Sequence, residues 1–194
     1  VDRIIRHAFE LATKRAAERG RPGRVTSATK SNGIIHTMPF WDERFELMAA
    51  EYPDIVTDKF HIDILCAHFV QHPDWFDVVV GSNLFGDILS DLGAAVVGGM
   101  GLAPAANSNP EGNHPSMFEP VHGSAPDIAG KGVANPIAQI WTGAMMMEHL
   151  GEAEAARAIE AAIAEVLADG SVRTPDLGGQ ANTSTLAQAI TDAL

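Results

Sequence analysis

Apolar residues in the first segment of the chain recur every three or four positions, which is the spacing of an amphipathic helix that ends near Gly20. The positions are Ile4, Ile5, Ala8, Phe9, Ala12 and Ala16. Beyond Gly20, short β-prone runs alternate with further helical patterns. The patterns predict strands at 24–29, 55–60 and 76–82 and helices at 40–50, 61–72 and 83–97.

The composition changes between 98 and 115, where Gly, Pro, Ala and Asn predominate and a crossing between two lobes is expected. The rest of the chain predicts a strand at 117–121, an open loop at 122–135 and helices at 136–150, 152–168 and 183–194. Strands that alternate with helices indicate an α/β fold. We therefore predict one lobe over 1–98 and a second over 99–194.

Two of these predicted elements have strongly apolar patterns. The helix at 61–72 is expected to turn Ile62, Leu65, Cys66, Phe69 and Val70 inward. The strand at 76–82 is continuous enough in apolar residues to be buried on both faces.

The composition limits the class of protein. With 194 residues, 46% hydrophobic and 20% charged, the chain is expected to be globular rather than disordered. A formal net charge of −12 argues against nucleic acid or an anionic membrane surface as a partner, and no stretch is suited to cross a membrane. The single cysteine, Cys66, rules out an intramolecular disulfide and fits a cytoplasmic location. The first residues lie inside a helical pattern without an initiator methionine, so we expect a longer parent protein.

Two aspartates stand four residues apart in "GSNLFGDILSDL" (81–92). On a helix, Asp87 and Asp91 share one face, where their charges repel unless water or a cation lies between them. Spacing alone leaves two interpretations open, a solvated helix face and a cation site.

The loop 122–135 contains Gly123, Gly130 and Gly132, whose backbone can approach a ligand closely. It ends at Asn135-Pro136, where proline at the first helical position opens a helix whose positive end favours phosphate or ribose oxygens. Asp127 could bind ribose hydroxyls. A plain Gly-rich surface loop is the equally open alternative.

Other candidate residues are ordinary when taken singly. Lys30 follows a strand and Asp63 lies in the first turn of a helix, positions that solvent exposure or the helix dipole would explain. His68 and His72 have the spacing of zinc ligands, but the sequence offers no third ligand nearby, so surface histidines are preferred.

Longer motifs carry a resemblance to a known family. The stretches "SATKSNGII…MPFWDER", "HIDILCAHFV", "SNLFGDILSD", "FEPVHGSAPDIAGKGVANP" and "RTPDLGGQANT" resemble the isocitrate and isopropylmalate dehydrogenases, and within them the tartrate and D-malate dehydrogenase branch. The resemblance implies the isopropylmalate dehydrogenase-like two-lobe α/β fold, truncated at its amino end. It also implies oxidation of a small 2-hydroxy dicarboxylic acid with NAD and Mg²⁺ or Mn²⁺, followed by decarboxylation.

The same resemblance assigns residue roles. It implies that Asp87 and Asp91 of one subunit and Asp63 of the partner subunit bind the metal, with Lys30, also from the partner subunit, in proton transfer. A homodimer with a shared active site follows, and its apolar faces are expected to include Ile62, Leu65, Phe69, Leu84, Ile88, Leu89 and Leu92. The implied adenosine-binding residues are His122, Gly123, Ser124, Ala125, Asp127, Ile128 and Asn135.

The match covers only the later half of the family's pattern. The family's substrate-binding arginines and acid–base tyrosine precede residue 1, and Tyr52 does not match the catalytic tyrosine. Two alternatives therefore remain, a catalytically inactive fragment that dimerises or binds nucleotide, and a 3-isopropylmalate dehydrogenase.

Overall fold

Strand β1 (Arg24–Thr29) is the central strand of a three-stranded parallel sheet, between β2 (Val56–His61) and β3 (Val78–Val80). The register runs from Arg24 opposite Val56 to Thr29 opposite His61. Five of the six β1 residues are buried, as expected for a strand with neighbours on both sides. The computed structural model describes all 194 residues.

Four helices accompany this sheet: α1 (Asp2–Arg19), α2 (Met38–Ala49), α3 (Ile62–Gln71) and α4 (Asn83–Val97). Helix α1 ends as predicted at Gly20, whose φ of 62° lies in the left-handed region that favours glycine. The core between helices and sheet is mainly aliphatic and aromatic. Its largest buried residues include Ile5, Phe9, Val25, Trp41, Phe45, Leu65, Phe85 and Leu89.

The remaining elements form an antiparallel strand pair with helices. Strands β4 (Pro104–Asn107) and β5 (Met117–Pro120) pair with Pro104 opposite Pro120. Helices α5 (Ile137–His149), α6 (Ala153–Asp169) and α7 (Thr183–Asp192) follow. Their buried core comprises Ile137, Ala162, Ile163, Val166, Leu186 and Ile190.

The chain divides into two compact units, Val1–Gly93 and Ala94–Leu194, so the division falls inside α4. The α/β class predicted from the sequence is confirmed. The assignment of 1–98 to dimerisation and metal binding and of 99–194 to nucleotide binding stays a prediction. None of the helices is long and apolar enough to cross a membrane.

Three local predictions differ from the structure. The segment 98–115 contains a short 3₁₀ helix (Met100–Leu102) and β4, which sequence patterns missed because Pro-Ala-Ala-Asn has low strand propensity and depends on pairing with β5. Val70 is 59% exposed rather than inward. The third predicted strand shortens to β3, where Val78 and Val80 are buried but Val79, on the opposite face, is only half-buried.

A buried hydrogen bond links α2 to the central strand, since Trp41 Nε1 donates to Ser27 Oγ at 2.9 Å. We expect Ser27→Ala to lower the free energy of unfolding by about 1–3 kcal/mol, because the indole N–H would remain buried without an acceptor. Urea unfolding measures this loss. In a Trp41→Phe background the cost of Ser27→Ala should shrink, since phenylalanine has no N–H; an equal cost in both backgrounds would contradict the assignment.

Candidate functional site

The carboxyl ends of β1, β2 and β3 lie at one edge of the sheet because the three strands are parallel. In open α/β sheets this edge is where ligands bind. Lys30 follows β1, Asp63 lies in the first turn of α3 after β2, and α4 with Asp87 and Asp91 follows β3. The four predicted catalytic and metal-binding residues therefore all follow the carboxyl ends of the strands.

Lys30 and Asp63 form an ion pair within the chain, with 2.5 Å between Lys30 Nζ and Asp63 Oδ1. The register explains the contact, since each residue shortly follows the paired ends Thr29 and His61. A turn fixes the lysine backbone, because the Lys30 carbonyl accepts hydrogen bonds from the N–H groups of Gly33 and Ile34. The Lys30 side chain is 28% exposed and that of Asp63 is 65% exposed.

The pKa of Asp63 is lowered below its usual value. The hydrogen bond from Lys30 is the largest cause, followed by one from the backbone N–H of Asp63 itself. The electrostatic interactions of Asp63 with Lys30 and with His61 also favour the ionised carboxylate. Asp63 is therefore available as an anionic oxygen ligand.

Asp87 and Asp91 lie one helical turn apart on α4, and both are exposed. Neither carboxylate forms an ion pair or a side-chain hydrogen bond; Ser90 Oγ bonds instead to the backbone carbonyl of Asp87. Two adjacent carboxylates without a cation suit a hard divalent ion that prefers oxygen ligands.

No three metal-ligating side chains come together within this single chain. Asp63 therefore does not join Asp87 and Asp91 here. Its predicted contribution from the partner subunit stays a prediction.

The seven apolar residues predicted for the dimer surface divide into three groups, of which Ile62, Phe69 and Leu92 are half-buried. Leu65 and Leu89 are 0% and 5% exposed, so they belong to the core and the prediction is wrong for them. Helix α4, which contains the buried Leu89, also has two exposed apolar residues, Leu84 and Ile88, whose exposed fractions are 61% and 43%. The exposed apolar residues thus lie next to Asp87 and Asp91 on α4.

The two histidines considered as zinc ligands have other contacts. The His72 ring stacks on Trp75 with 4.0 Å between ring centroids and 4° between planes, and His68 contacts the same indole. With no third ligand in the chain, the structure offers no zinc group there.

The second unit contains a cavity of about 580 Å³ formed by the loop 122–135 and three residues outside it, Gly101, Asp176 and Thr183. All predicted adenosine-binding residues line it except Asp127, which is exposed on the same loop beside Ile128. The lining residues predicted from the sequence are His122, Gly123, Ser124, Ala125, Ile128 and Asn135.

Contacts with the start of α7 hold this loop in place. Thr183 donates from its backbone N–H to the Gly132 carbonyl at 2.8 Å and from its hydroxyl to the Ala134 carbonyl at 2.5 Å. Ala125 adopts a φ of +41°, a conformation that costs a non-glycine residue roughly 1–2 kcal/mol. Such backbone strain is concentrated at ligand-binding sites.

Asn135 is buried, and both ends of its amide are hydrogen-bonded. Its Oδ1 accepts from Ile137 N–H and its Nδ2 donates to Asp176 Oδ2, each at 2.9 Å. Pro136 occupies the N-cap position of α5, one residue earlier in the helix numbering than predicted. The backbone N–H of Ile137, at the start of α5, is therefore already hydrogen-bonded to the Asn135 side chain.

Gly101, Asp176 and Thr183 were not singled out from the sequence. Asp176 lies in a short 3₁₀ helix (Pro175–Leu177), where an acidic residue in the first turn is common and carries no functional signal. Only the folded chain brings these residues to the loop 122–135.

The model of the isocitrate/isopropylmalate dehydrogenase family matches residues 1–194. The chain belongs to this family. It is 60% identical over 195 residues to a D-malate dehydrogenase (decarboxylating) of Escherichia coli K12, an alignment that covers 98% of this chain and 52% of that protein. It is 58% identical over 200 residues to a tartrate dehydrogenase/decarboxylase of Pseudomonas putida, covering 100% and 53%.

Solved structures of similar proteins agree in fold. The isocitrate dehydrogenase from Methylococcus capsulatus superposes with a TM-score of 0.90 at 46% identity, over 99% of this chain and 55% of that one. The TT0538 protein from Thermus thermophilus gives 0.89 at 41% identity, over 100% and 38%. The chain spans about half the length of the curated relatives it matches.

The Lys30–Asp63 pair generates a pH prediction. The ordinary pKa of the aspartate is 3.8, and Lys30 lowers it in the folded state. The stabilisation is therefore present above the unfolded pKa and is lost as the pH falls through the folded one. We expect a ¹³C NMR titration of the Asp63 carboxyl carbon to show the lowered pKa, and Lys30→Met to raise it toward the ordinary value.

Arg21→Met is the control for this titration, because Arg21 is not among the groups that shift the pKa of Asp63. An Asp63 titration that is identical in the wild type and in Lys30→Met would contradict the ion pair.

Proposed function

We propose that the protein catalyses, in its full-length form, the NAD- and Mg²⁺- or Mn²⁺-dependent oxidative decarboxylation of a small 2-hydroxy dicarboxylic acid, D-malate or a tartrate. The observation that carries this proposal is the Lys30–Asp63 ion pair at the carboxyl edge of the sheet, with the carboxylates of α4 following the neighbouring strand. The names and high identities of the relatives support this substrate class.

The proposed metal ligands are Asp87, Asp91 and Asp63 of the partner subunit. All three supply carboxylate oxygens, which Mg²⁺ and Mn²⁺ prefer over nitrogen or sulfur. The ion, when bound, would polarise the carbonyl formed from the substrate hydroxyl and stabilise developing negative charge. The exposure of Asp87 and Asp91 and their lack of cationic partners in the chain are consistent with this role.

Lys30 is proposed to exchange the proton of the reaction at its Nζ. A lysine amine transfers protons efficiently when a neighbouring group holds it in position. Asp63 provides that restraint through a charge-assisted hydrogen bond, while the turn that includes Gly33 and Ile34 fixes the backbone.

The loop 122–135 is proposed to bind the adenosine part of NAD. Its cavity volume and its glycines suit a ligand that approaches the backbone. Ile128 lines the cavity, and Asp127, its neighbour in the chain, is exposed on the same loop. A carboxylate there accepts ribose hydroxyls and repels a 2′-phosphate, which favours NAD over NADP.

A shared site requires a dimer, which we propose forms through the exposed apolar residues of α4. Leu84 and Ile88 lie on the same helix as Asp87 and Asp91, so an isologous contact there would carry the partner's Asp63 toward them. Covering Leu84 and Ile88 would also remove apolar surface from water.

One observation favours a narrower function for this chain by itself. Every residue that lines the nucleotide cavity lies between Gly101 and Thr183, so the cavity is complete within the second unit. The chain is therefore proposed to bind nucleotide even where it lacks catalytic activity.

The shared site predicts complementation between inactive variants. In the full-length protein, Asp63→Asn and Asp87→Asn should each abolish activity and weaken Mn²⁺ binding. Mixing the two after subunit exchange should restore about a quarter of wild-type activity, because half of the dimers are hybrids and each hybrid has one intact site. Steady-state rates and Mn²⁺ titration measure the recovery.

A mixture of Asp87→Asn with Asp91→Asn is the matched control. Both residues belong to the same side of the proposed site, so no hybrid would contain an intact site. Equal recovery in the two mixtures, or none in either, would refute the exchange of Asp63 between subunits.

The cofactor assignment predicts a change of preference. Asp127→Lys combined with Ile128→Tyr should shift the ratio of kcat/KM values from NAD toward NADP, because a cation replaces the charge that repels the 2′-phosphate. The shift should be about tenfold or more, the equivalent of one charge-assisted contact. Lys131→Met, a charge change on the same loop, is the control, and an unchanged ratio in the double variant would remove Asp127 from the site.

A further inference from the structure

A second cavity, of about 410 Å³, lies in the first unit and is lined by residues of two short segments, 21–24 and 74–77. Arg24 is the first residue of β1 and Asp77 directly precedes β3, so both segments meet at the amino ends of the parallel strands. This amino-edge cavity therefore lies at the opposite edge of the sheet from the candidate catalytic residues. Its volume is within the range of small-molecule sites, roughly 300–1,000 Å³.

Trp75 lines this cavity with an indole ring that has an aromatic neighbour on one face only. The His72 ring stacks on it with 4.0 Å between centroids and 4° between planes, and the His68 ring lies 5.1 Å from it. Because the two imidazoles are 6.2 Å apart, the three distances place His68 beside the indole edge rather than over its second face. Trp75 is 43% exposed, so a planar ligand has a ring face on which to stack.

Four charged side chains line the amino-edge cavity, and two of them are already paired within the chain. The Asp77 carboxylate accepts hydrogen bonds from two arginines of α1, at 2.7 and 3.2 Å, and Arg24 donates to an aspartate of β2 at 2.5 Å. Arg21 and Asp74 are exposed and form no ion pair with the chain. One cation, one carboxylate and one aromatic face are therefore left for a ligand.

We propose that the amino-edge cavity binds an aromatic α-amino acid, whose ring stacks on Trp75, whose carboxylate binds Arg21 and whose ammonium group binds Asp74. A guanidinium binds a carboxylate through two parallel hydrogen bonds, and an indole presents its face to another ring. The single negative and single positive charge of such a ligand match the free cation and the free carboxylate of the cavity. A phosphate dianion would instead set a like charge against Asp74. The site does not depend on the proposed catalytic function, because none of its lining residues takes part in that function.

The test uses the ¹⁵N-labelled 194-residue chain, whose three tryptophans give three indole N–H signals in a ¹H–¹⁵N spectrum. Titration with unlabelled L-tryptophan should shift the Trp75 signal, which is identified by its loss in Trp75→Phe. The indole N–H groups of Trp41 and Trp141 donate to Ser27 and Glu160 away from the cavity. Their signals should not move, so they serve as internal controls.

A second ligand tests the two charges separately. Indole-3-propionate lacks the ammonium group and should bind about fivefold more weakly than L-tryptophan, the upper end of the range for an exposed ion pair. In Asp74→Asn the two affinities should become nearly equal. Arg21→Met should weaken both ligands by about the same fivefold factor. Arg157→Met is the matched control, because it removes the same charge from an exposed position on α6 and should leave both affinities unchanged.

Each outcome decides for or against the site. A Trp75 signal that stays in place, or three indole signals that move together, would overturn the proposal. Indole-3-propionate that binds the wild type as tightly as L-tryptophan would overturn the assignment to an amino acid, as would a preference that is the same in Asp74→Asn. A shift confined to Trp75, with a preference for L-tryptophan that disappears in Asp74→Asn and an affinity lowered by Arg21→Met alone among the arginine variants, supports it.

Discussion

The parallel pairing of β1 with β2 is the constraint on which the first unit depends. Because the two strands run in the same direction and in register to Thr29 and His61, the residues that follow them emerge at one edge. This register brings the Lys30 ammonium within 2.5 Å of the Asp63 carboxylate. Five of the six β1 residues are buried, so a slip by one residue would move every buried side chain to the opposite face of the sheet and disrupt its packing.

The acidic residues at this edge of the sheet differ in whether they have a cationic partner. Asp63 has a cationic partner in its own chain, whereas Asp87 and Asp91 have none. In a chain with a net charge of −12, two carboxylates one turn apart on an exposed helix face repel each other and attract a cation. The exposed Leu84 and Ile88 beside them give the same helix a surface suited to a second copy of the chain.

In the second unit, hydrogen bonds to neighbouring elements, rather than strand pairing, position the candidate site. Its loop has no regular secondary structure, yet hydrogen bonds from Thr183 and the Asn135–Asp176 contact define its conformation at three points. Most of its cavity lining is backbone or small side chains, which allows close approach of a ligand. Rigidity therefore comes from neighbouring helices rather than from the loop sequence.

The sequence by itself determined most elements of the fold, the family, and the candidate residues Lys30, Asp63, Asp87 and Asp91. These depend on local periodicity and on long ordered motifs, which a single chain displays in full. Strand β4 was beyond local reasoning, because its residues form a strand only through pairing with β5.

Only the tertiary structure decided which apolar residues are core and which are surface. Leu84 and Leu89 are the same residue type on one helix, yet one is 61% exposed and the other 5%, because burial depends on what packs against each face. It likewise brought Gly101 and Asp176 to Asn135, from 34 residues before it and 41 after it along the chain. Contacts between residues so distant in sequence arise from the packing of whole elements, and no local pattern encodes them.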